Sequence, residues 1–169
     1  EEEGEGMTHA ELVTLAAAWL RKKHRVVITE MVGSVEIPDA IGFNGTNSTL
    51  IECKASRVDF LRDGKKWFRR QGPFGMGQER YYLAPPGIIE LDELPGDWGL
   101  LEATPRGVRK VQAAQPRERA THYELSLLVT ALCRIGGAIP DGSGVSVKYY
   151  TYTTKNTATL GVAADEAKA

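Results

Sequence analysis

The sequence predicts a single α/β domain on three features: a capped amphipathic helix near its start, a strand hairpin around Asn44-Gly45, and a return from helical to strand patterning at Tyr81-Tyr82-Leu83. At 169 residues the chain fits one hydrophobic core, since cores divide only beyond roughly 250 residues. Its 42% hydrophobic and 25% charged residues are those of an ordinary soluble globule and exclude the disordered and collagen-like classes. No apolar run approaches the roughly 20 residues that cross a bilayer, so no membrane segment is expected. The domain is expected to span residues 7–162. Residues 1–6 lack the basic and apolar parts of a signal peptide and read as an acidic tail left from cloning ahead of Met7, and residues 163–169 read as a frayed end.

The first helix is expected from about Thr8 to Lys23. Thr8-His9-Ala10-Glu11 has capping-box spacing, and Leu12, Leu15, Ala16, Trp19 and Leu20 follow at helical period. Val26-Val27-Ile28 is a short β-branched strand. Val35–Phe43 and Ser48–Ala55 then form two strands separated by Asn44-Gly45, a strong hairpin signal. Val58, Leu61 and Phe68, with charges between them, predict a second helix that faces the sheet with those three residues and stops at Gly72-Pro73. Tyr81–Leu83 is a fourth strand. Trp98–Ala103 and Val108–Ala113 are expected as edge strands around the turn Thr104-Pro105-Arg106-Gly107, Glu118–Ile135 as a long helix, and Val145–Thr153 as a final strand.

Charge and cysteine usage narrow the function classes. The formal net charge of −1 includes four glutamates in the leading tail, and without them the balance is about +3. Between Arg57 and Arg70 six cations face only Asp59 and Asp63, and a second basic stretch runs from Arg106 to Arg119. Such stretches suit phosphate, although a solvated helix face is their commoner meaning. Cys53 and Cys133 form no CxxC or Cys/His zinc pattern, which fits a reduced, cytoplasmic compartment.

The chemistry converges at the hairpin. With a two-residue loop Asp39 lies across from Leu50 and diagonal to Glu52; with a four-residue loop it lies directly opposite Glu52. In both registers Asp39 shares a face with Glu52 and Lys54, because side chains alternate along a strand, while Cys53 points the other way. The same face carries Val35, Ile37, Ile41 and Phe43, which read as core. Two carboxylates side by side on an apolar face repel and are costly to desolvate unless a cation lies between them. A divalent ion is the natural neutraliser, since Mg²⁺ takes one or two carboxylates and fills its other positions with water and phosphate oxygens. Lys54 beside it would hold or activate the attacking water and offset charge developing on the phosphate.

These residues resemble the PD-(D/E)xK nuclease superfamily: Pro38-Asp39 stands as the PD and Glu52-Cys53-Lys54 as the ExK. The resemblance implies a restriction-endonuclease-like αβββαβ core with a mixed central sheet flanked by helices, here followed by a C-terminal helix and strand. It implies Mg²⁺ or Mn²⁺ bound by Asp39, Glu52 and the Cys53 backbone carbonyl, with Lys54 assisting the water. In many members a glutamate on the first helix completes the site, which makes Glu11 the candidate here, against its simpler role as the capping partner of Thr8. The run Ile51-Glu52-Cys53-Lys54-Ala55-Ser56, then Asp59-Phe60, Lys66-Trp67 and Arg80-Tyr81-Tyr82-Leu83-Ala84-Pro85, and later Leu94-Pro95 and Trp98-Gly99-Leu100, is most similar to the MmcB-like branch associated with DNA repair. The core resemblance covers roughly Thr8 to Pro86. The glycine-rich stretch Gly72–Gly77 departs from it, and the chain from about Arg119 onward matches no pattern of that family.

Several residues have competing readings. Gln78 and Tyr82 have the QxxxY spacing of RecB-like nucleases but stand at the opening of a strand. Ser56 and Asp59 read as the cap and first turn of the second helix. His9, His24 and His122 share no ligand spacing and read as surface or core, and Trp67 and Phe68 as core. The expected activity is hydrolysis of DNA phosphodiester bonds, as an endonuclease, with Arg62, Lys65, Lys66 and Arg69 along one side of the second helix as the DNA track. The alternatives are a non-catalytic nuclease-fold module that binds nucleic acid or a protein partner, and a nuclease acting on RNA. The final strand leaves a homodimer open.

Overall fold

The computed structural model describes residues 6–32, 36–65, 75–136 and 144. Among these residues nine α-helices and β-strands follow in order: α1 (His9–Arg21), β1 (Val26–Thr29), β2 (Ala40–Asn44), β3 (Asn47–Cys53), α2 (Arg57–Asp63), β4 (Glu79–Ala84), β5 (Gly99–Thr104), β6 (Gly107–Gln112) and α3 (Thr121–Ile135), with a short 3-10 turn at Leu91–Glu93 between β4 and β5. The strands form one mixed six-stranded sheet in sequence order. β3 pairs with β4, and β4 with β5, in parallel; the other neighbours are antiparallel. The fold is therefore a mixed α/β sheet flanked by helices, and its first six elements run helix, three strands, helix, strand. No helix among the described residues is long and apolar enough to cross a membrane.

The alternation of β3 and β4 divides the core into two layers. Ile51, Cys53, Tyr81 and Leu83 face α1 and pack with Leu12, Ala16 and Leu20. Leu50, Tyr82, Ile41 and Phe43 face the other way, toward Phe60 of α2 and Leu127 of α3. β4 is thus buried on both faces, as a central parallel strand is when helices cover both sides, with Arg80 the one charged side chain fully buried on it.

The structure corrects four expectations about the elements. β2 begins at Ala40, not at Val35, and Ile37 is exposed, so residues 36–38 approach the sheet without joining it. Val35 lies outside the described residues. β5 is interior, between β4 and β6, because parallel pairing with β4 covers the edge that the turn at 104–107 left unassigned. On α2 the buried residues are Phe60 and Asp63, while Val58 and Leu61 are exposed. Phe60 meets Tyr82 edge-on at 5.1 Å, and that contact sets the helix's rotation. α3 starts at Thr121, after Arg119 has turned aside to pair with Glu124. Trp67, Phe68, the rest of the expected second helix, and the strand Val145–Thr153 lie outside the described residues.

Candidate active site

The hairpin places the motif. β2 and β3 are joined by a two-residue turn, Gly45-Thr46, one position later than the Asn44-Gly45 centre, with Asn44 paired to Asn47. Gly45 has φ 61 at the first turn position, as a type II′ turn requires, and this fixes the register. Pairs run up to Ala40 opposite Ile51, so the next position sets Asp39 opposite Glu52. The facing arrangement therefore arises with a two-residue loop.

Asp39, Glu52, Cys53 and Lys54 line one cavity of about 290 Å³, together with His9, Ile37, Asp59, Arg62 and Asp63. Asp39 Oδ2 accepts the Cys53 backbone N–H at 2.7 Å, so the main chain of Cys53 lies directly against that carboxylate. Glu52 and Lys54 are buried at 2% and 6% exposure, and Lys54 Nζ stands 3.2 Å from Glu52 Oε2. On its other side Lys54 meets Asp63 Oδ1 at 3.3 Å, and Asp63 Oδ2 accepts the Tyr82 hydroxyl at 2.8 Å. Lys54 also lies over the Tyr82 ring at 5.8 Å.

The electrostatics follow from this crowding. Burial first, and the Glu52 charge second, push the Asp39 carboxyl up to about 6, against the pull of the Cys53 N–H, Lys54 and His9. Burial alone would lower the Lys54 ammonium, but Glu52, Asp63 and Asp39 outweigh it and hold it above the usual lysine range. Lys54 is therefore a cation and a hydrogen-bond donor throughout the neutral range. Burial, then the Asp39 and Glu52 charges, drive the Cys53 thiol far up, so its side chain is neutral on the α1 face.

The donor set fits a hard divalent ion. The Glu52 charge raises the cost of ionising Asp39, which a cation between them would offset, and the Cys53 main chain adjoins Asp39. Among the described residues no group of three or more His, Cys, Asp or Glu side chains is gathered to hold an ion. An ion here would draw on Asp39, Glu52 and the Cys53 carbonyl, leaving its other positions to water and substrate.

The structure does not bring Glu11 to this site. Glu11 is exposed, accepts the Thr8 N–H and hydroxyl at 2.8 Å each, and lines a separate cavity beside Met7 and Thr104. The Thr8 N–H, then its hydroxyl, hold the Glu11 carboxyl below the usual range, as a capping box does. The α1 residue that reaches the cavity is His9, with Nε2 3.6 Å from Asp39 Oδ1 and 3.5 Å from Glu30 Oε1. Asp63 and His9 were not singled out for the site by sequence reasoning. Asp63 had a signal: it lies three residues after Phe60 on one helix face. His9 had none, since its partner is distant in sequence.

Of the expected DNA track, Arg62 is exposed at the wall of this cavity, whereas Lys65 lines a neighbouring one with Glu93 and Arg117. Lys66 and Arg69 lie outside the described residues. In the second basic stretch Arg109 pairs with Glu102, Arg117 with Asp97 and Arg119 with Glu124. Gln78 precedes β4 and lines a cleft at the other end of β3, while Tyr82 reaches the site through Asp63, so QxxxY does not act as a unit. Ser56 caps α2 by accepting the Asp59 N–H, as expected.

No family model and no curated protein matches the chain. Among solved structures the chain is similar to the SPO1766 protein of unknown function from Silicibacter pomeroyi, with a TM-score of 0.56 and 22% identity over 82% of this chain and 97% of that one. At that identity the likeness is one of fold.

Proposed function

We propose that the protein is a divalent-metal-dependent nuclease that hydrolyses DNA phosphodiester bonds at the Asp39–Glu52–Lys54 cavity. The observation that carries this reading is the facing of a buried carboxylate, Glu52, and a half-buried one, Asp39, with a lysine held cationic beside them, in one cavity at the end of β3. Three acids, Asp39, Glu52 and Asp63, around one lysine exceed the charge that a structural ion pair would need. Mg²⁺ or Mn²⁺ bound there supplies positive charge against the phosphate and a water acidified enough to attack near neutral pH.

The chain's own residues do the rest. Asp39, just before β2, and Glu52, in β3, would hold the ion, and the Cys53 N–H fixes the Asp39 carboxylate in place. Lys54, a donor, stabilises charge developing on the phosphate oxygens, and Asp63 and Tyr82 hold its side chain. Arg62, at the cavity wall, meets a phosphate flanking the cut. The reading places the enzyme in the cytoplasm, with DNA repair as its expected setting from the family resemblance.

The test is incubation with supercoiled plasmid, linear duplex, single-stranded DNA and RNA, each with Mg²⁺, Mn²⁺ or EDTA. Metal-dependent nicking of plasmid is expected. Cleavage of RNA alone would move the substrate, and binding with no cleavage of any substrate would make the protein a non-catalytic module.

Two variants check the roles of neighbouring residues. Asp63→Asn keeps an acceptor for Tyr82 but removes one counter-charge from Lys54, and is expected to slow cleavage by about 10- to 100-fold and to cost about 1–3 kcal/mol in a melting experiment. Glu11→Gln preserves the capping box, and is expected to leave both cleavage rate and melting temperature near wild type.

A further inference from the structure

The end of α1 and the turn after it carry five basic residues in succession, Arg21-Lys22-Lys23-His24-Arg25, which the site does not use. Arg21, Lys22, Lys23 and Arg25 are exposed, and none forms an ion pair with a carboxylate among the described residues. Several cations elsewhere in the fold pair with carboxylates: Arg57 with Glu93, Arg117 with Asp97, Arg119 with Glu124. Arg21 suits the helix's negative C-terminal end, but that effect fades beyond the last turn and does not account for Lys22, Lys23 and Arg25. Lys23 lies over the Trp19 ring at 5.8 Å, but the cluster has no carboxylate partner among the described residues; like charges packed this closely repel, and an anionic ligand would relieve that repulsion.

The turn is held in one shape. The Lys22 N–H donates to Trp19 O at 3.3 Å, those of Lys23 and His24 to Leu20 O at 2.9 Å each, and that of Arg25 to Phe43 O at 3.0 Å. The His24 ring bridges Leu20 O and Thr49 Oγ1, at 3.1 and 3.0 Å, and lies against Gly42, where a Cβ would fall 2.6 Å from the ring. Behind the turn a cleft of about 400 Å³ is lined by Lys23, Asn44, Asn47, Thr49 and Gln78, with Glu79 as the carboxylate on its wall. Amide and hydroxyl walls suit sugar and base groups, whereas a membrane surface calls for an apolar face beside the cations.

We propose that the Arg21–Arg25 turn and the cleft behind it form a second nucleic-acid contact, which grips backbone phosphates remote from the Asp39–Glu52 site. The turn stands at the opposite end of β3 from Cys53, since Asn44 donates to Lys23 O and pairs with Asn47. β3 has seven residues, so six strand steps separate its ends, roughly 20 Å at about 3.3 Å per step. On duplex DNA that is about six base pairs at roughly 3.4 Å each. The inference takes from the proposed function only the identity of the ligand as nucleic acid.

The test is fluorescence anisotropy in EDTA, where cleavage plays no part, with labelled duplexes of about 24 and about 8 base pairs. The wild type is compared with the exposed triple variant Lys22→Ala, Lys23→Ala, Arg25→Ala, whose melting temperature is expected to be unchanged. The variant should bind the long duplex about tenfold or more weakly, with a slope of log affinity against log salt reduced by about 0.9 for each phosphate it no longer neutralises. The duplex of about 8 base pairs, roughly 27 Å long, still spans both contacts, so a loss in the same direction is expected on it. Equal affinity and equal slope on the long duplex would overturn the inference, as would wild type that binds vesicles of anionic phosphatidylserine and not DNA. If the variant loses DNA binding while no substrate is ever cut, the second contact stands and the nuclease reading fails.

Discussion

Glu52→Gln is expected to lower metal-dependent cleavage by at least about a thousandfold, which corresponds to roughly 4 kcal/mol of transition-state stabilisation. Glutamine has nearly the same shape, so packing on the Leu50–Tyr82 face is kept. What is lost is one of the two carboxylates proposed to hold the ion. Lys54 still has Asp63 at 3.3 Å, so the lysine is not left as a buried charge with no counter-charge, and the melting temperature should move far less than the rate. Single-turnover rates and melting curves on the same preparation check both halves. A variant that melts like wild type and cuts like wild type would show that Glu52 serves only as the ion-pair partner of Lys54.

Asp39→Asn should do the reverse to stability. The Asp39 carboxyl is raised from 3.8 to about 6, so between those values the folded protein holds a proton that the unfolded chain has released. Its contribution therefore becomes less favourable as pH rises through that window, and the full penalty, about 3 kcal/mol, is present above it. Asparagine cannot ionise and still accepts the Cys53 N–H through its Oδ1. In EDTA at pH 7.5 the variant should melt several degrees above wild type, at roughly 2–4 °C per kcal/mol for a chain of this size, and the gap should close near pH 4. Adding Mg²⁺ should raise the wild-type melting temperature and leave the variant's unchanged, because only a protein that binds the ion is stabilised by it. A variant less stable than wild type at both pH values would mean that the carboxylate is satisfied within the fold and has no need of a cation.

The part of the site that lies on strands was legible because strand periodicity is rigid. Once Glu52 and Lys54 share a face, a hairpin partner at the right distance must present Asp39 to them. The position of the turn was not legible: Asn44-Gly45 is a good turn pair, but Gly45 takes the first turn position and moves the centre by one residue. Long-range contacts were hidden for a different reason. His9 meets Asp39 and Asp63 meets Lys54 only after α1 and α2 dock, and docking is decided by shape, such as the Phe60–Tyr82 contact, more than by pattern. That contact also explains why Val58 and Leu61, apolar and at helical spacing, end up in solvent. Glu11 shows the opposite hazard, since a residue in the right place along the helix was already engaged by Thr8.

The central claim, that Asp39 and Glu52 together hold a divalent ion, is tested most directly by titrating Mn²⁺ into the metal-free protein at pH 7.5 and following binding by calorimetry. The wild type is expected to bind Mn²⁺ with saturable heat, Mg²⁺ to compete for the same site, and both Asp39→Asn and Glu52→Gln to lose that binding. Wild type that takes up no ion, or variants that bind it as tightly as wild type does, would contradict the account.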